Sequence, residues 1–283
     1  MKRILITGAS GFIGQATVAA LRGEKDTHVT AVTRKKNAPE RENGESLVEE
    51  KWIYSASLME IPQECLEEID IIIHLASAGV SPKKAEWDEC IETNYTTTIA
   101  FFRHAVRCGV KRIVLSGSSH EYGLSADDFP FIPPDAPLKP LSVYGATKAA
   151  ASTAAFTLAR ELEVEFLIAR FFNIYGEGQY SGNLWPSLRD AAIKGADFQM
   201  TSGAQVRDFL EVSQAARKLI DLAKSDLKRG VVEQINIGSG IGQTLKSFVE
   251  HWWSEFNATG ELRFGAIQYR KDDLMRVVPL LTR

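Results

Sequence analysis

The chain has 283 residues, 45% hydrophobic and 24% charged, which suits a soluble globular protein of one large domain, or a large domain with a smaller lobe. Its formal net charge of −3 supplies no general attraction for nucleic acid or an anionic membrane, and no apolar run approaches the length of a membrane span. Cys65, Cys90 and Cys108 are odd in number and lack metal-ligand spacing, so they read as reduced cysteines of a cytoplasmic protein without a metal site.

Met1-Lys2-Arg3 leads directly into Arg3–Ile6, a short buried-strand pattern rather than the apolar core of a signal peptide. Next comes Thr7-Gly8-Ala9-Ser10-Gly11-Phe12-Ile13-Gly14, which opens an amphipathic helical run from Phe12 to Leu21. Strand, glycine turn and helix in that order predict a dinucleotide site. Gly8 permits the sharp turn, Gly11 the close approach of a pyrophosphate, and Gly14 tight packing of helix on sheet. The helix N-terminus then favours the anion through its unpaired N–H groups and its dipole. A second strand, Val29–Thr33, ends in Thr33-Arg34-Lys35-Lys36, where an acidic residue would bind a ribose 2′-hydroxyl. Three cations suit a 2′-phosphate instead, and Arg34 can pair with it bidentately, so NADP(H) is expected over NAD(H).

Arg34–Glu50 reads as a charged surface loop, followed by strands at Trp52–Tyr54 and Asp70–Leu75 and a helix over about Glu86–Cys108. A strand at Arg112–Ser116, the proline-rich loop Pro130–Pro140, a helix over Val143–Leu162 and a strand at Glu165–Arg170 complete the pattern. This alternation predicts an α/β fold. It is a doubly wound, Rossmann-type, mostly parallel sheet covered on both faces, with ligands at the carboxyl ends of its strands. Residues 1–173 are expected to form the dinucleotide-binding domain, with 202–240 returning to it, and 174–201 and 241–283 a discontinuous substrate lobe. Within the Val143 helix, Tyr144 and Lys148 lie one turn apart on one face. An ammonium beside a phenol favours the phenolate and lowers a pKa that is otherwise about 10.

The G-x-x-G-x-x-G spacing and Tyr144-x-x-x-Lys148 together resemble the short-chain dehydrogenase/reductase superfamily. Asp70–Ala76, Asn94–Thr98, Ser116–Gly123, Arg170–Gly176, Val206–Phe209 and Asn236–Gly240 are similar to landmarks of its extended branch, the nucleotide-sugar epimerases, dehydratases and reductases. They occur in the right order along essentially the whole chain. The resemblance implies that Tyr144 gives or takes a proton and Ser118 hydrogen-bonds the substrate oxygen, while Lys148 tunes Tyr144 and binds the nicotinamide ribose. It places a cofactor against Gly8, Ser10, Gly11, Phe12, Ile13, Gly14, Arg34, Leu75, Ala76, Asn94, Tyr144 and Lys148. It also implies a nucleotide-sugar substrate held by Ser118, Ser119, His120, Asn173, Arg207 and Arg270, with guanidinium groups on the diphosphate.

Particular departures narrow the chemistry. Ser119 and His120 stand where sugar 4,6-dehydratases carry an Asp-Glu pair, so water loss by that route is not expected. Ser57-Leu58 replaces an acidic residue often found near adenine. Trp185-Pro186 opens the helix that borders the nucleoside in the family, or a helix packed in the core. The tail Phe264–Arg270 is similar to reductases of CDP- or dTDP-linked deoxysugars, and the chain stops soon after Arg276–Pro279, as a short protein or a truncated copy would. These features predict an NADPH-dependent reductase of a nucleotide-linked 4-keto-6-deoxyhexose. The alternative is a nucleotide-sugar 4-epimerase that retains NAD. A non-catalytic dinucleotide-binding regulator would show the loss of Ser118, Tyr144 or Lys148, and all three are present. The alanines of the Val143 helix permit close approach of another helix, and the family pairs this helix with the preceding long one, so a homodimer is expected.

Overall fold

The computed structural model describes residues 1–34, 49–80 and 85–282. The expected cations Lys35 and Lys36 lie outside the described residues. The first part of the chain supplies six strands: β1 (Lys2–Thr7), β2 (Thr27–Thr33), β3 (Glu49–Tyr54), β4 (Ile71–His74), β5 (Arg112–Ser118) and β6 (Glu165–Phe171). β7 (Asn173–Tyr175), β8 (Phe198–Met200) and β9 (Val206–Glu211) leave that sheet, and β10 (Val232–Ile237) rejoins it. The order is β10-β6-β5-β4-β1-β2-β3, with every pair parallel. β1 and β4 are neighbours, so the chain reverses its winding between them, and a crevice opens beyond their carboxyl ends.

The helices are α1 (Phe12–Leu21), α2 (Gln63–Glu67), α3 (Trp87–Ile91), α4 (Thr97–Arg107), α5 (Val143–Leu162), α6 (Leu184–Ile193), α7 (Val212–Lys224) and α8 (Leu245–Glu255), of which α1 and α7 cover one face of the sheet and α4 and α5 the other. The two-residue period of the strands divides the core. Ile4, Ile6, Ile71 and Ile73 pack with Val18 and Leu21 of α1 and Leu219 of α7. Leu5, Ile72, Ile113 and Leu115 pack on the other side with Phe101 and Phe102 of α4 and Ala151, Ala155 and Ala159 of α5. Each fully buried isoleucine or leucine contributes roughly 1.5–3 kcal/mol. β11 (Gly242–Thr244) and β13 (Arg276–Val277) flank β9, which also pairs with β7, while β8 pairs with β12 (Leu262–Phe264). A separate apolar cluster of Leu188, Ala192, Met200, Val249 and Trp253 joins α6, β8 and α8.

Two local differences from the sequence reading matter for the cleft. β5 runs to Ser118, two residues past its expected end, because each residue from Arg112 to Ser118 pairs with β6. The single helix expected over 86–108 is broken into α3, a π-helical turn at Glu92–Thr96, and α4. Asn94 lies in that turn, and its amide is engaged outside the helix.

Candidate active site

β1 ends at Thr7, and Gly8 turns the chain with φ +68°, a conformation that favours glycine. A Cβ at Gly8 would stand 2.6 Å from the backbone N of Ala76, and one at Gly14 would strike the Gly8 carbonyl. Gly11 caps α1 without any side-chain hydrogen bond, so the first-turn N–H groups are left for a ligand. The Thr33 hydroxyl donates to Ser10 Oγ at 2.9 Å, tying the turn to the end of β2, and Arg34 follows as an exposed side chain. All this borders one cleft of about 1300 Å³, whose walls also include Leu75, Ala76, Ser118, Ser119, His120, Tyr144, Asn173 and Arg207. Its size, its glycine floor and the uncapped helix fit a dinucleotide at this end.

Ser118 arrives at the end of β5 and Tyr144 on the first turn of α5, which Ser142 caps by accepting from the Gly145 N–H at 3.0 Å. The Tyr144 hydroxyl hydrogen-bonds with the side chains of Ser118 and Ser77. Burial pushes the phenol up to about 12, those two hydrogen bonds pull it down, and the charge of Glu121 pushes the same way as burial. Lys148 is only 2% exposed. Its ammonium reaches Ser116 Oγ at 3.4 Å, and burial lowers its pKa to about 8 against the opposing pull of Glu121. The expectation that Lys148 acidifies Tyr144 is therefore not met in the free protein. The ammonium turns toward Ser116 and desolvation of the phenol dominates. The His120 ring meets Tyr144 edge-on with centroids 5.7 Å apart. Its pKa is lowered from the usual 6.5, first by desolvation and then by the charge of Arg207.

Three expected residues are placed differently. Asn94 lies behind the wall, not in it. Its Oδ1 accepts from Ala78 N–H at 2.8 Å and Ser77 Oγ–H at 2.9 Å, and its amide donates to Ala78 O and Thr147 Oγ1. It thus fastens the loop after β4 to α5. Lys148 likewise sits beneath Ser116 rather than on the surface of the cleft. Arg270 is exposed and outside the cleft lining, its segment held by its own N–H to Asp273 at 2.9 Å. Arg207 does line the cleft, and its guanidinium is fixed by donation to the carbonyls of Val206 and Leu274 at 2.9 and 2.7 Å. Asn173 also lines it and donates to Asp208 O at 3.1 Å.

Residues 4–238 match the family described as the NAD dependent epimerase/dehydratase family. The chain belongs to that family. The UDP-glucose 4-epimerase of Corynebacterium glutamicum is 25% identical over 270 residues, covering 88% of this chain and 78% of that protein. The UDP-N-acetyl-alpha-D-glucosaminuronate decarboxylase of Bacillus cytotoxicus is 32% identical over 257 residues, covering 84% of this chain and 75% of its own. Among solved structures, MoeE5 in complex with UDP-glucuronic acid and NAD superimposes with a TM-score of 0.84 at 28% identity, covering 99% of this chain and 90% of that one. The chain is thus an enzyme of the extended short-chain dehydrogenase/reductase type. No helix among the described residues is long and apolar enough to cross a membrane.

The family motifs announce the far end of the cleft only in part, through Tyr175, Trp185 and Phe209. There Tyr175, Trp185, Phe209, Leu245 and Phe248 form the wall, with Phe209 stacked on Phe248 at 3.7 Å and Trp185 edge-on to Trp252. The indole N–H of Trp185 and Oε1 of Gln179 are buried without a hydrogen-bond partner. Phe209 follows the Arg207-Asp208 pair and was within reach of the sequence, whereas nothing in the sequence marks Phe248.

Proposed function

We propose that this member of the family reduces the 4-keto group of a nucleotide-linked 6-deoxyhexose with NADPH. The observation that carries this reading is the placing of Arg34, Ser118 and Tyr144 on one cleft, a cation for the cofactor at one end and two hydroxyls for the substrate oxygen at its middle, with the buried phenol of Tyr144 as proton donor. When bound, the dinucleotide supplies the hydride. Tyr144 Oη gives its proton to the substrate oxygen, and the Ser118 hydroxyl donates a hydrogen bond to the same oxygen. Arg34, with Glu92 the only acidic side chain among the described lining residues, supports a 2′-phosphate and hence NADP(H). Arg207 suits the substrate diphosphate. The unpaired Trp185 N–H and Gln179 Oε1 suit its nucleoside end, because buried polar atoms are costly without partners. Residues 174–201 and 241–283 would form the substrate lobe. The enzyme would act in the cytoplasm with Cys65, Cys90 and Cys108 reduced, as all three are free here.

A 4-epimerase with retained NAD is the second reading, supported by relatives named UDP-glucose 4-epimerase that match across most of the chain. A panel of nucleotide sugars and their 4-keto forms, assayed for NADPH consumption, separates the two. Consumption with a 4-keto substrate is expected. Interconversion of C4 epimers without net consumption, by protein purified with bound NAD, would replace the reductase reading. The expected homodimer would use the exposed apolar side chains Trp87, Ile91 and Tyr95 around α3 and Phe156 on α5, since Ala151, Ala155 and Ala159 are spent on the protein's own core. A monomeric mass by light scattering at micromolar concentration would remove it.

A further inference from the structure

Glu121 follows Ser118 by three residues and has no exposed surface. Its Oε1 accepts the Ser118 N–H at 2.8 Å, and the two residues form a capping box around the short turn that ends β5. A local cap needs nothing more, yet this carboxylate reaches further. Oε2 accepts from Ser152 Oγ–H at 2.8 Å and from Arg170 Nε–H at 2.7 Å. Ser152 lies one turn beyond Lys148 on α5, and Arg170 lies on β6, where Gly117 is its register partner. Gly117 makes room for the arrangement, since a Cβ there would stand 2.6 Å from Arg170 Cγ and 2.9 Å from Glu121 Oε1. Arg170 is then held by Pro134 O at 2.9 Å and Gln234 Oε1 at 3.0 Å.

We propose that Glu121 is the positioning residue of the triad, its buried carboxylate clamping the Ser118 strand end to the helix that carries Tyr144 and Lys148. One side chain thereby joins β5, β6 and α5, and fixes the distance between the hydroxyl and the phenol that share the substrate oxygen. That last role rests on the function proposed above, while the clamp itself does not. The clamp also carries charge. Around it stand Arg170 on β6, Tyr122 beside it, and Tyr144 and Lys148 on α5, with His74 of β4 beyond Lys148 and Cys90 of α3 beyond Tyr144. His120, next in sequence, answers to Arg207 instead. Glu121 favours the charged form of Lys148 and the protonated form of Tyr144, so it holds both protons in place.

Two variants of the full chain test this. Glu121→Gln keeps the shape and removes the charge, leaving one acceptor oxygen for donors on opposite sides. Its turnover should fall by about tenfold or more with KM little changed. The alkaline midpoint of NADPH binding, followed by fluorescence against pH, should move down by about one pH unit as Lys148 loses its proton earlier. Wild-type turnover with an unmoved midpoint would overturn the proposal, because a merely structural residue scales the curve without shifting it. Glu121→Ala removes every tie. Hydrogen exchange should then show loss of protection at the Ser118 amide while the rest of β5 stays protected. That readout needs neither substrate nor cofactor, so wild-type protection there sinks the clamp even if the wild-type protein fails to bind any dinucleotide, which would sink only the proposed function. If Glu121→Ala does not fold, Ser152→Ala cuts only the tie to α5. It should lower kcat by about two- to tenfold at constant KM, and a wild-type kcat would then overturn the proposal.

Discussion

At the glycine-turn end of the cleft the walls are mostly backbone, delivered by strand ends of one parallel sheet: Gly8 to Gly14 after β1, Arg34 after β2, Leu75 and Ala76 after β4. At the other end the walls are large side chains from α6, β9 and α8, and they touch one another as much as they touch the cleft. The first end can hold a ligand only where glycine leaves space, so its chemistry is written in consecutive residues. The second end makes its shape by packing, and the unpaired Trp185 N–H and Gln179 Oε1 are poised there for a directed contact. Ser118, Tyr144 and Lys148 stand between the two, and they belong to the first kind in position and to the second in burial.

The sharpest way to break this division is at its middle. Tyr144→Phe keeps the ring against His120 and removes only the hydroxyl that carries the proton, so turnover should fall by roughly 10²–10⁴-fold with cofactor binding nearly intact, as stopped-flow and fluorescence titration would show. A variant that turns over normally would take Tyr144 out of the mechanism. Next comes Lys148→Met. Between pH 8 and 10.5 the unfolded chain binds a proton that the folded one has shed, so stability should rise with pH across that window. Below it both states are charged, and the folded protein carries the whole cost of the buried ammonium, about 3 kcal/mol at neutral pH. Lys148→Met should therefore raise the melting temperature at pH 7 and flatten the alkaline dependence while abolishing turnover. A lower melting temperature would show that the ammonium's contacts outweigh its burial.

Smaller effects separate the two ends. Arg34→Asp should cost NADPH binding about ten- to a hundredfold and improve NADH, measured by titration of each. Equal affinities in the wild-type protein would end the case for a 2′-phosphate. At the far end, Trp185→Phe keeps the aromatic packing and deletes an unpaired donor. KM for the nucleotide sugar should rise by about two- to tenfold with kcat unchanged, and the melting temperature should hold or rise slightly. A KM identical to wild type would mean that the indole N–H meets nothing in the complex either.

The same division governs what could be read before any fold was known. The glycine turn was legible because strand, turn and helix all fall between Lys2 and Leu21, and each residue has one physical job. Tyr144 was legible from its spacing to Lys148 and Ser118 from the family resemblance, and the structure brings their hydroxyls together. The orientation of Lys148 was not, because a helical wheel shows which face a side chain leaves from and not what it meets. Asn94 was assigned to the cofactor from its motif and instead ties Ala78 to Thr147, a role that needs the three-dimensional partners to be seen. Arg270 was carried by a looser match, and its segment folds on Asp273 away from the cleft.

The π-helical turn at Glu92–Thr96 has a consequence for phase. Hydrogen bonding from i to i+5 lets one extra residue into the helix, so the apolar stripe before the turn and the one after it are rotated relative to each other. Trp87 and Ile91 accordingly face outward while Phe101 and Phe102 are fully enclosed, although all four lie in what periodicity treats as one helix. The helix is thus a splice of two surfaces, an outward one for whatever covers α3 and an inward one for the sheet, and Asn94 sits at the joint. Deleting one residue within the turn would leave a continuous α-helix with a single stripe, and would have to sacrifice either the outward surface or the grip on Ala78.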